Sequence, residues 1–362
     1  MKAAVVRDVG KVQVEQIDQP LFGDNHVLVR LAATGLCHTD VTVLNGLYPV
    51  PMPVVLGHEG AGVVEAVGDS VTGVGPGDHV VLSITDGCGR CFQCQNGALG
   101  LCEEAGPRAL GGALADGSVL LRKGDEQIHH FLFQSSFAEY AIVSASSAIP
   151  IRKDVSLEVA SLLGCGVSTG YGAVVRRAMV RPGDTVLVIG LGGVGLAVVM
   201  AARAAGAGTI VAADLSPTAC DLAGSVGATH VIHAGDEVDL ASEVHSVVPR
   251  GVDHAFDAVG KATTIAQSIA SVRFGGQAVA IGLNDISAVA SVSLFELIYE
   301  KRLTGTYNGS IRPHVDIPAA LELYASGRLP IDRLITRRYS LDEIGTALNE
   351  FGSFAGRAVI NH

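Results

Sequence analysis

Between Thr185 and Asp214 the apolar pattern changes period twice. "TVLVI" (185–189) is a continuous apolar, β-branched run, which predicts a buried strand. "GLGGVG" then supplies a tight turn, and "LAVVMAARAAG" continues as an apolar helix. "TIVAAD" (209–214) returns to strand composition. The alternation goes on downstream. "HVIHA" (230–234), "VDHAFDAVG" (252–260) and "GQAVAIG" (276–282) predict strands. "SPTACDLAGSVG" (216–227), 237–248 and 262–273 predict helices between them. Strands and helices in strict alternation predict an α/β, doubly wound domain with a parallel sheet.

The turn inside this pattern carries chemistry. Gly190, Gly192 and Gly195 form G-x-G-x-x-G between a strand and a helix. That context, more than the three glycines, marks a dinucleotide site. The pyrophosphate is expected on the helix N-terminus near Gly193 and Val194. Asp214 closes the second strand, nineteen residues after Gly195, where a carboxylate meets the ribose hydroxyls. It would repel a 2′-phosphate, and no Arg follows it closely, so NAD is expected over NADP. Residues 185–202 approach the length of a membrane span, but Gly190, Gly192, Gly193 and Gly195 interrupt them. They are read as strand, turn and helix.

Composition narrows the setting. The 362 residues suffice for two domains. A net charge of −11 argues against nucleic acid or an anionic membrane as partner. "MKAAVVRDVG" at the start has no sustained apolar stretch, so no secretory leader and a cytoplasmic location are expected. In a reducing compartment, clustered cysteines bind metal or do redox work more often than they form disulfides.

Four of the seven cysteines fall in "CGRCFQCQNGALGLC" (88–102). Cys88, Cys91, Cys94 and Cys102 have the spacing C-x2-C-x2-C-x7-C, which suits a closed tetrahedral zinc cage. Such a cage contributes roughly 10–16 kcal/mol of apparent binding energy to local folding. A disulfide pair and an iron–sulfur cluster compete with this reading, although neither ferredoxin spacing fits. A second set is scattered: Cys37 in "GLCHTD", His58 and Glu59 in "GHEGAG", and Cys165 in "LLGCGVSTGYG". Cys/His/Cys with an open fourth position is a catalytic zinc set. Spacing alone does not bring these residues together, and a lone buried Cys or His is ordinarily core. All three sit beside glycines, and Asp40 is available to accept the second ring N–H of His58.

Taken jointly, "GLCHTD", "LGHEGAG", the four-cysteine segment, "IHHFLFQSSFAEY", "LLGCGVSTGYGA" and "GLGGVGLAV" resemble the zinc-containing medium-chain alcohol dehydrogenases. The resemblance is to the long-form branch that includes thiol-dependent formaldehyde dehydrogenase, and it spans essentially the whole chain. It implies a GroES-like β-barrel catalytic domain (1–166 and 309–362) with a structural zinc lobe at 88–102. An NAD-binding Rossmann domain (167–308) is inserted between the two parts. It implies two zinc ions per chain. Cys37, His58 and Cys165 would bind the catalytic ion, with Glu59 behind it, and the four lobe cysteines would bind the structural one. Thr39 would bond the substrate oxygen and start a proton relay, His38 and Arg357 would meet the pyrophosphate, and Thr169 and Val194 would hold the nicotinamide. An alcohol acidified at the zinc would pass a hydride to NAD. Tyr48, Ile84, Phe131, Leu132 and Leu283 are expected to line a mostly apolar substrate slot. The full-length segment between Cys102 and Cys165 implies a homodimer.

The chain departs from the pattern in places that bear on substrate. Glutathione-dependent members carry an Arg four residues after the last lobe cysteine; here that position is Gly106, with Arg108 nearby. They also carry an acidic residue in the loop after "CHTD", where this chain has "NGLYPVPM". Liver-type members place a relay His where this chain has Thr42, and Ala219 stands where NAD-binding relatives often have Lys. Medium-chain aliphatic or aromatic alcohols are therefore expected as substrates. Oxidation of a formaldehyde–thiol adduct, of the mycothiol type, is the alternative. Cys220 is left as a helix core residue.

Overall fold

The computed structural model describes residues 1–235, 238–283, 285 and 287–362. A GroES-like β-barrel is built from the N-terminal strands together with two strands near the C-terminus. The strand His26–Gly35 is the organising element. Its first half pairs antiparallel with Tyr140–Ser144 and its second half with Arg357–Asn361, while its other edge carries Gly60–Val67. His79–Leu82 and Ala148–Ile151 extend the sheet on one side, and Ile335–Ser340 pairs parallel with Arg357–Asn361 on the other. Val27, Val29, Leu31, Val64, Val80 and Leu82 form one buried cluster within it. Alternate residues on each strand fill it because side chains alternate across the pleat.

The second sheet has six parallel strands in the spatial order His230–His233, Thr209–Asp214, Thr185–Ile189, Val252–Asp257, Val272–Ala280, Arg302–Gly305. Strand order reverses between Thr185–Ile189 and Val252–Asp257. A crevice for a ligand therefore opens at the carboxyl ends of those two strands. The helices Gly193–Ala204, Pro217–Val226, Leu240–Val247 and Ala262–Ser271 connect the strands.

Most predicted elements occur with shifted ends. The strand expected at 252–260 stops at Asp257, whose carboxylate accepts the N–H groups of Val259 and Gly260 and so makes a turn. The helix expected at 262–273 ends at Ser271, because Val272 already pairs with Val252 in the sheet. The helix expected at 237–248 runs Leu240–Val247, with the Asp239 side chain capping Ser242 N–H at 3.3 Å. Glu237 lies outside the described residues. The segment 185–202 resolves as strand, turn and helix. Among the described residues no single helix is long and apolar enough to cross a membrane.

Candidate active site

Cys37 caps the N-terminus of the helix His38–Leu44 in extended conformation. One oxygen of the fully buried Asp40 accepts its N–H at 3.1 Å. The other accepts the Gly57 N–H at 3.0 Å and the His58 Nδ1 at 3.1 Å. One carboxylate thus ties the Cys37 turn to the His58 turn and fixes the imidazole tautomer. With Nδ1 donating, the free lone pair sits on Nε2, and that atom is buried without a partner. Phe131 holds the ring edge-on, with centroids 5.3 Å apart.

The third segment arrives through close packing. Gly164 lies against the Glu59 backbone, where a Cβ would come within 2.8 Å of Glu59 Cα. Gly166 N–H donates to Glu59 Oε1 at 3.0 Å. Cys165, between them, is thereby carried to Cys37 and His58. Ligand atoms of Cys37, His58, Glu59 and Cys165 all lie within 4.8 Å of one another. The orphaned, buried His58 Nε2 beside two thiols fits a zinc ion and leaves room for a fourth ligand. A buried polar atom without a partner is otherwise costly.

Glu59 is fully buried and paired with Arg357, itself only 6% exposed. Burial pushes its carboxyl up to about 7, against the pull of the guanidinium. Arg357 also reaches the nucleotide loop. A Cβ on Gly193 would collide with its Cδ and come within 2.7 Å of its Nη1. One arginine therefore spans the cluster and the N-terminus of the helix Gly193–Ala204. Gly190 adopts φ 86°, and a Cβ on Gly195 would collide with the Gly190 carbonyl. Gly192 faces open space, with nothing within 4 Å of a built Cβ, so the backbone there is free to meet a pyrophosphate. Asp214 accepts the N–H groups of Leu191 at 2.6 Å and Ser216 at 2.8 Å, which fixes it beside that loop. Val194 is half-buried on the first turn of the helix.

Thr39 Oγ1 lies 3.7 Å from Cys37 Sγ. His38 is exposed, next to Phe351, and its Nδ1 is 3.4 Å from Thr42 Oγ1. The Thr42 hydroxyl also bonds the carbonyl of His38 at 2.9 Å. Ile84, Phe131 and Leu132 are buried in one cluster with half-buried Tyr48 and Cys165. Leu283 does not join them. It is 63% exposed, on the loop that follows the strand Val272–Ala280. Cys220 is buried, with Sγ against the carbonyls of Asp214 and Ile232.

Sequence reasoning missed a polar triad. The Thr169 hydroxyl donates to Asn308 Oδ1 at 2.8 Å, and Asn308 Nδ2 donates to Thr85 Oγ1 at 2.6 Å. All three are buried. Asn308, Gly309 and Ser310 take φ of 44°, 66° and 56° in succession. The "NG" pair in "TYNGS" was the available signal for this turn.

The four lobe cysteines also converge, with every Sγ within 4.8 Å of the others. Cys91 and Cys102 sulfurs are 3.9 Å apart. That is far beyond the ~2.05 Å of a disulfide and close to the edge of a tetrahedron with ~2.3 Å zinc–sulfur bonds. Backbone N–H groups of Cys88, Cys91 and Ala105 point at lobe sulfurs at 3.3–3.4 Å and suit thiolates. These sulfurs fit a zinc ion with no open position.

Residues 23–153 match the alcohol dehydrogenase GroES-like domain family and residues 193–326 the zinc-binding dehydrogenase family. An S-(hydroxymethyl)glutathione dehydrogenase of Synechocystis sp. is 37% identical over 352 residues, covering 96% of this chain and 95% of that one. The alcohol dehydrogenase zinc-binding domain protein of Burkholderia ambifaria superposes with TM-score 0.94 at 39% identity, covering 99% of this chain and 98% of the other. The benzyl alcohol dehydrogenase of Acinetobacter calcoaceticus superposes with TM-score 0.92 at 35% identity, with the same coverages.

Proposed function

The chain belongs to the zinc-containing medium-chain alcohol dehydrogenases, and from that membership we propose that it oxidises apolar primary or secondary alcohols with NAD and catalyses the reverse reduction. It is an oxidoreductase. The observation that carries the proposal is the meeting of Cys37, His58 and Cys165 around an unpartnered, buried Nε2, joined by Arg357 to the glycine loop.

Bound zinc would supply Lewis acidity and bound NAD a hydride acceptor. Cys37, His58 and Cys165 would hold the catalytic ion, and Cys88, Cys91, Cys94 and Cys102 the structural one. Asp40 keeps His58 in the ligating tautomer. Thr39 would bond the substrate hydroxyl and pass its proton on as it gives up its own, through the cofactor ribose and water or to a base such as His38. Arg357 meets the pyrophosphate at Gly193 and balances Glu59. Gly190, Gly192, Gly195 and Val194 shape the cofactor loop, and Asp214 takes the ribose hydroxyls. Thr169, locked by Asn308, orients the nicotinamide. Tyr48, Ile84, Phe131 and Leu132 line the slot and exclude water.

The domain division at 166/167 and 308/309 is part of the same proposal, as is a homodimer. Supporting the dimer, Leu294, Phe295 and Ile298 are 77%, 62% and 76% exposed beside the edge strand Arg302–Gly305. An apolar patch at a free sheet edge invites a second copy. Six cysteines gathered as metal ligands, with none of the seven in a disulfide, suit a cytoplasmic setting.

A second reading is oxidation of a thiol adduct of formaldehyde, favoured by the name of the Synechocystis relative. Against the glutathione form, Gly106 offers no charge, and Arg108 cannot stand in for it. That guanidinium is already bound to the Ala115 carbonyl and Glu104. The deciding experiment follows NADH formation with aliphatic, benzylic and cinnamyl alcohols, in parallel with formaldehyde plus glutathione or mycothiol. Rates that rise with apolar size and need no thiol are expected. Activity confined to formaldehyde plus a thiol would overturn the first reading in favour of the second.

A further inference from the structure

The helix Gly193–Ala204 has two ends, and only the first belongs to the nucleotide loop. Its twelve residues carry the chain about 18 Å, back to the amino ends of the parallel strands. There a cavity of about 690 Å³ opens between Gly206, the turn 227–229 and the segment that follows the helix Pro313–Ala325. Gly206 lies just before the strand Thr209–Asp214, and Thr229 just before the strand His230–His233. The volume is that of a small-molecule site, roughly 300–1,000 Å³. Gly227 takes φ 137°, and a Cβ there would come within 3.0 Å of Arg203 Cβ. The turn therefore packs directly on the stem of that arginine.

Arg203, Arg328 and Arg333 line this cavity, and no aspartate or glutamate does. All three are exposed, and among the described residues none has a carboxylate partner. Elsewhere in this acidic chain arginines find one, as Arg152, Arg176, Arg273 and Arg338 do. Arg328 Nη2 donates to the Ala204 carbonyl at 2.8 Å, and Arg333 Nη1 to the Ser225 carbonyl at 2.9 Å. Those carbonyls lie in the last turns of the helices Gly193–Ala204 and Pro217–Val226. Capping a helix end is a structural reason for two of the cations, since each such end carries about half a negative charge. The balance still favours an anion, because three full positive charges meet about one negative charge from the two ends. Each capping guanidinium gives one of its five N–H donors to its carbonyl. Arg203 caps nothing: among the described residues its guanidinium has no hydrogen-bond partner. The guanidinium fork matches the paired oxygens of a carboxylate or a phosphate.

We propose that this cavity is a second ligand site, which binds a small anion of two or more negative charges, carried on phosphate or carboxylate groups, between Arg203, Arg328 and Arg333. The site is separate from the nucleotide crevice, at the opposite end of the helix whose first turn would meet the pyrophosphate. Its ligand ties the ends of two cofactor-domain helices to the segment 327–333. The proposal stands apart from the dehydrogenase reading and does not depend on which alcohol is oxidised.

The test is calorimetric titration of the NADH-saturated holoprotein with fructose 1,6-bisphosphate and with propane-1,2,3-tricarboxylate, fructose serving as the uncharged control. With NADH in place, the pyrophosphate position of the crevice is already filled. One polyanion per chain with a Kd below about 1 mM is expected for at least one probe, and the tighter of the two assigns the site to phosphates or to carboxylates. Arg203→Gln removes a charge without touching either helix-end bond. Its melting curve and turnover are expected to match wild type, while polyanion affinity falls about tenfold or more. No binding of either probe, or an affinity unchanged in Arg203→Gln, overturns the proposal. A crystal soaked with the tighter probe reads the site without any substitution. Density among the three guanidinium groups is expected, and density only elsewhere overturns the proposal.

Discussion

The two cysteine clusters present the same count of donors within the same 4.8 Å, yet they are built in opposite ways. The lobe draws all four ligands from fifteen consecutive residues and leaves two of them half-exposed. Its support is its own backbone, whose N–H groups point at the sulfurs. The catalytic cluster draws on three segments more than a hundred residues apart at the extremes. It is held by a buried carboxylate, a buried ion pair and glycines that let backbones touch. A local cage needs its metal to fold, since little else orders so short a loop. A distributed cage is ordered by the fold around it, so losing its metal costs chemistry before structure.

The contrast can be broken most severely in the lobe. Cys94→Ser is expected to release the structural ion and forfeit a large part of the roughly 10–16 kcal/mol that such an ion supplies. Thermal unfolding would read this as an early transition confined to the lobe. A melting curve indistinguishable from wild type would show that the lobe folds without its metal.

A smaller effect is expected at the ion pair. Arg357→Ala strands the fully buried Glu59, and breaking a buried pair costs about 3–5 kcal/mol. Urea unfolding measures the loss, and the KM for NAD should rise because Gly193 loses its neighbour. A loss below about 1 kcal/mol would show that the pair does little to hold the catalytic cluster.

Smallest is Asp40→Asn. The amide cannot accept from Cys37, Gly57 and His58 as the carboxylate does. Removing such a partner of a ligating histidine lowers metal affinity about 10–100-fold. Competition with a chelator should show one of the two zinc ions weakened and the other unchanged. Equal weakening of both would contradict the independence of the two sites.

Legibility in the sequence follows the same divide. The lobe could be read from spacing because its geometry is local. The cofactor fold could be read from period, since "TVLVI" and "TIVAAD" are buried on both faces of a parallel sheet. Asp40 could be placed as the partner of His58 because it lies one helical turn from Cys37. The meeting of Cys37, His58 and Cys165 came only through family resemblance. The contacts that create it, Gly164 on Glu59 and Gly166 on its carboxylate, leave no periodic trace. The triad of Thr85, Thr169 and Asn308 was missed because a left-handed turn assembles it from segments over two hundred residues apart. Leu283 stands apart from the buried cluster of Ile84, Phe131 and Leu132, exposed on the loop after its strand, and the course of such a loop is set by tertiary packing that composition does not show.

The most direct measurement is zinc content by mass spectrometry, paired with melting curves, on wild type, Cys94→Ser and Cys165→Ser. Two ions are expected in wild type and one in each variant, with a large fall in stability only for Cys94→Ser and a loss of turnover with a near-normal melt for Cys165→Ser. A single ion in wild type, or the reverse pairing of stability and activity, would contradict the division into a folding cage and a working one.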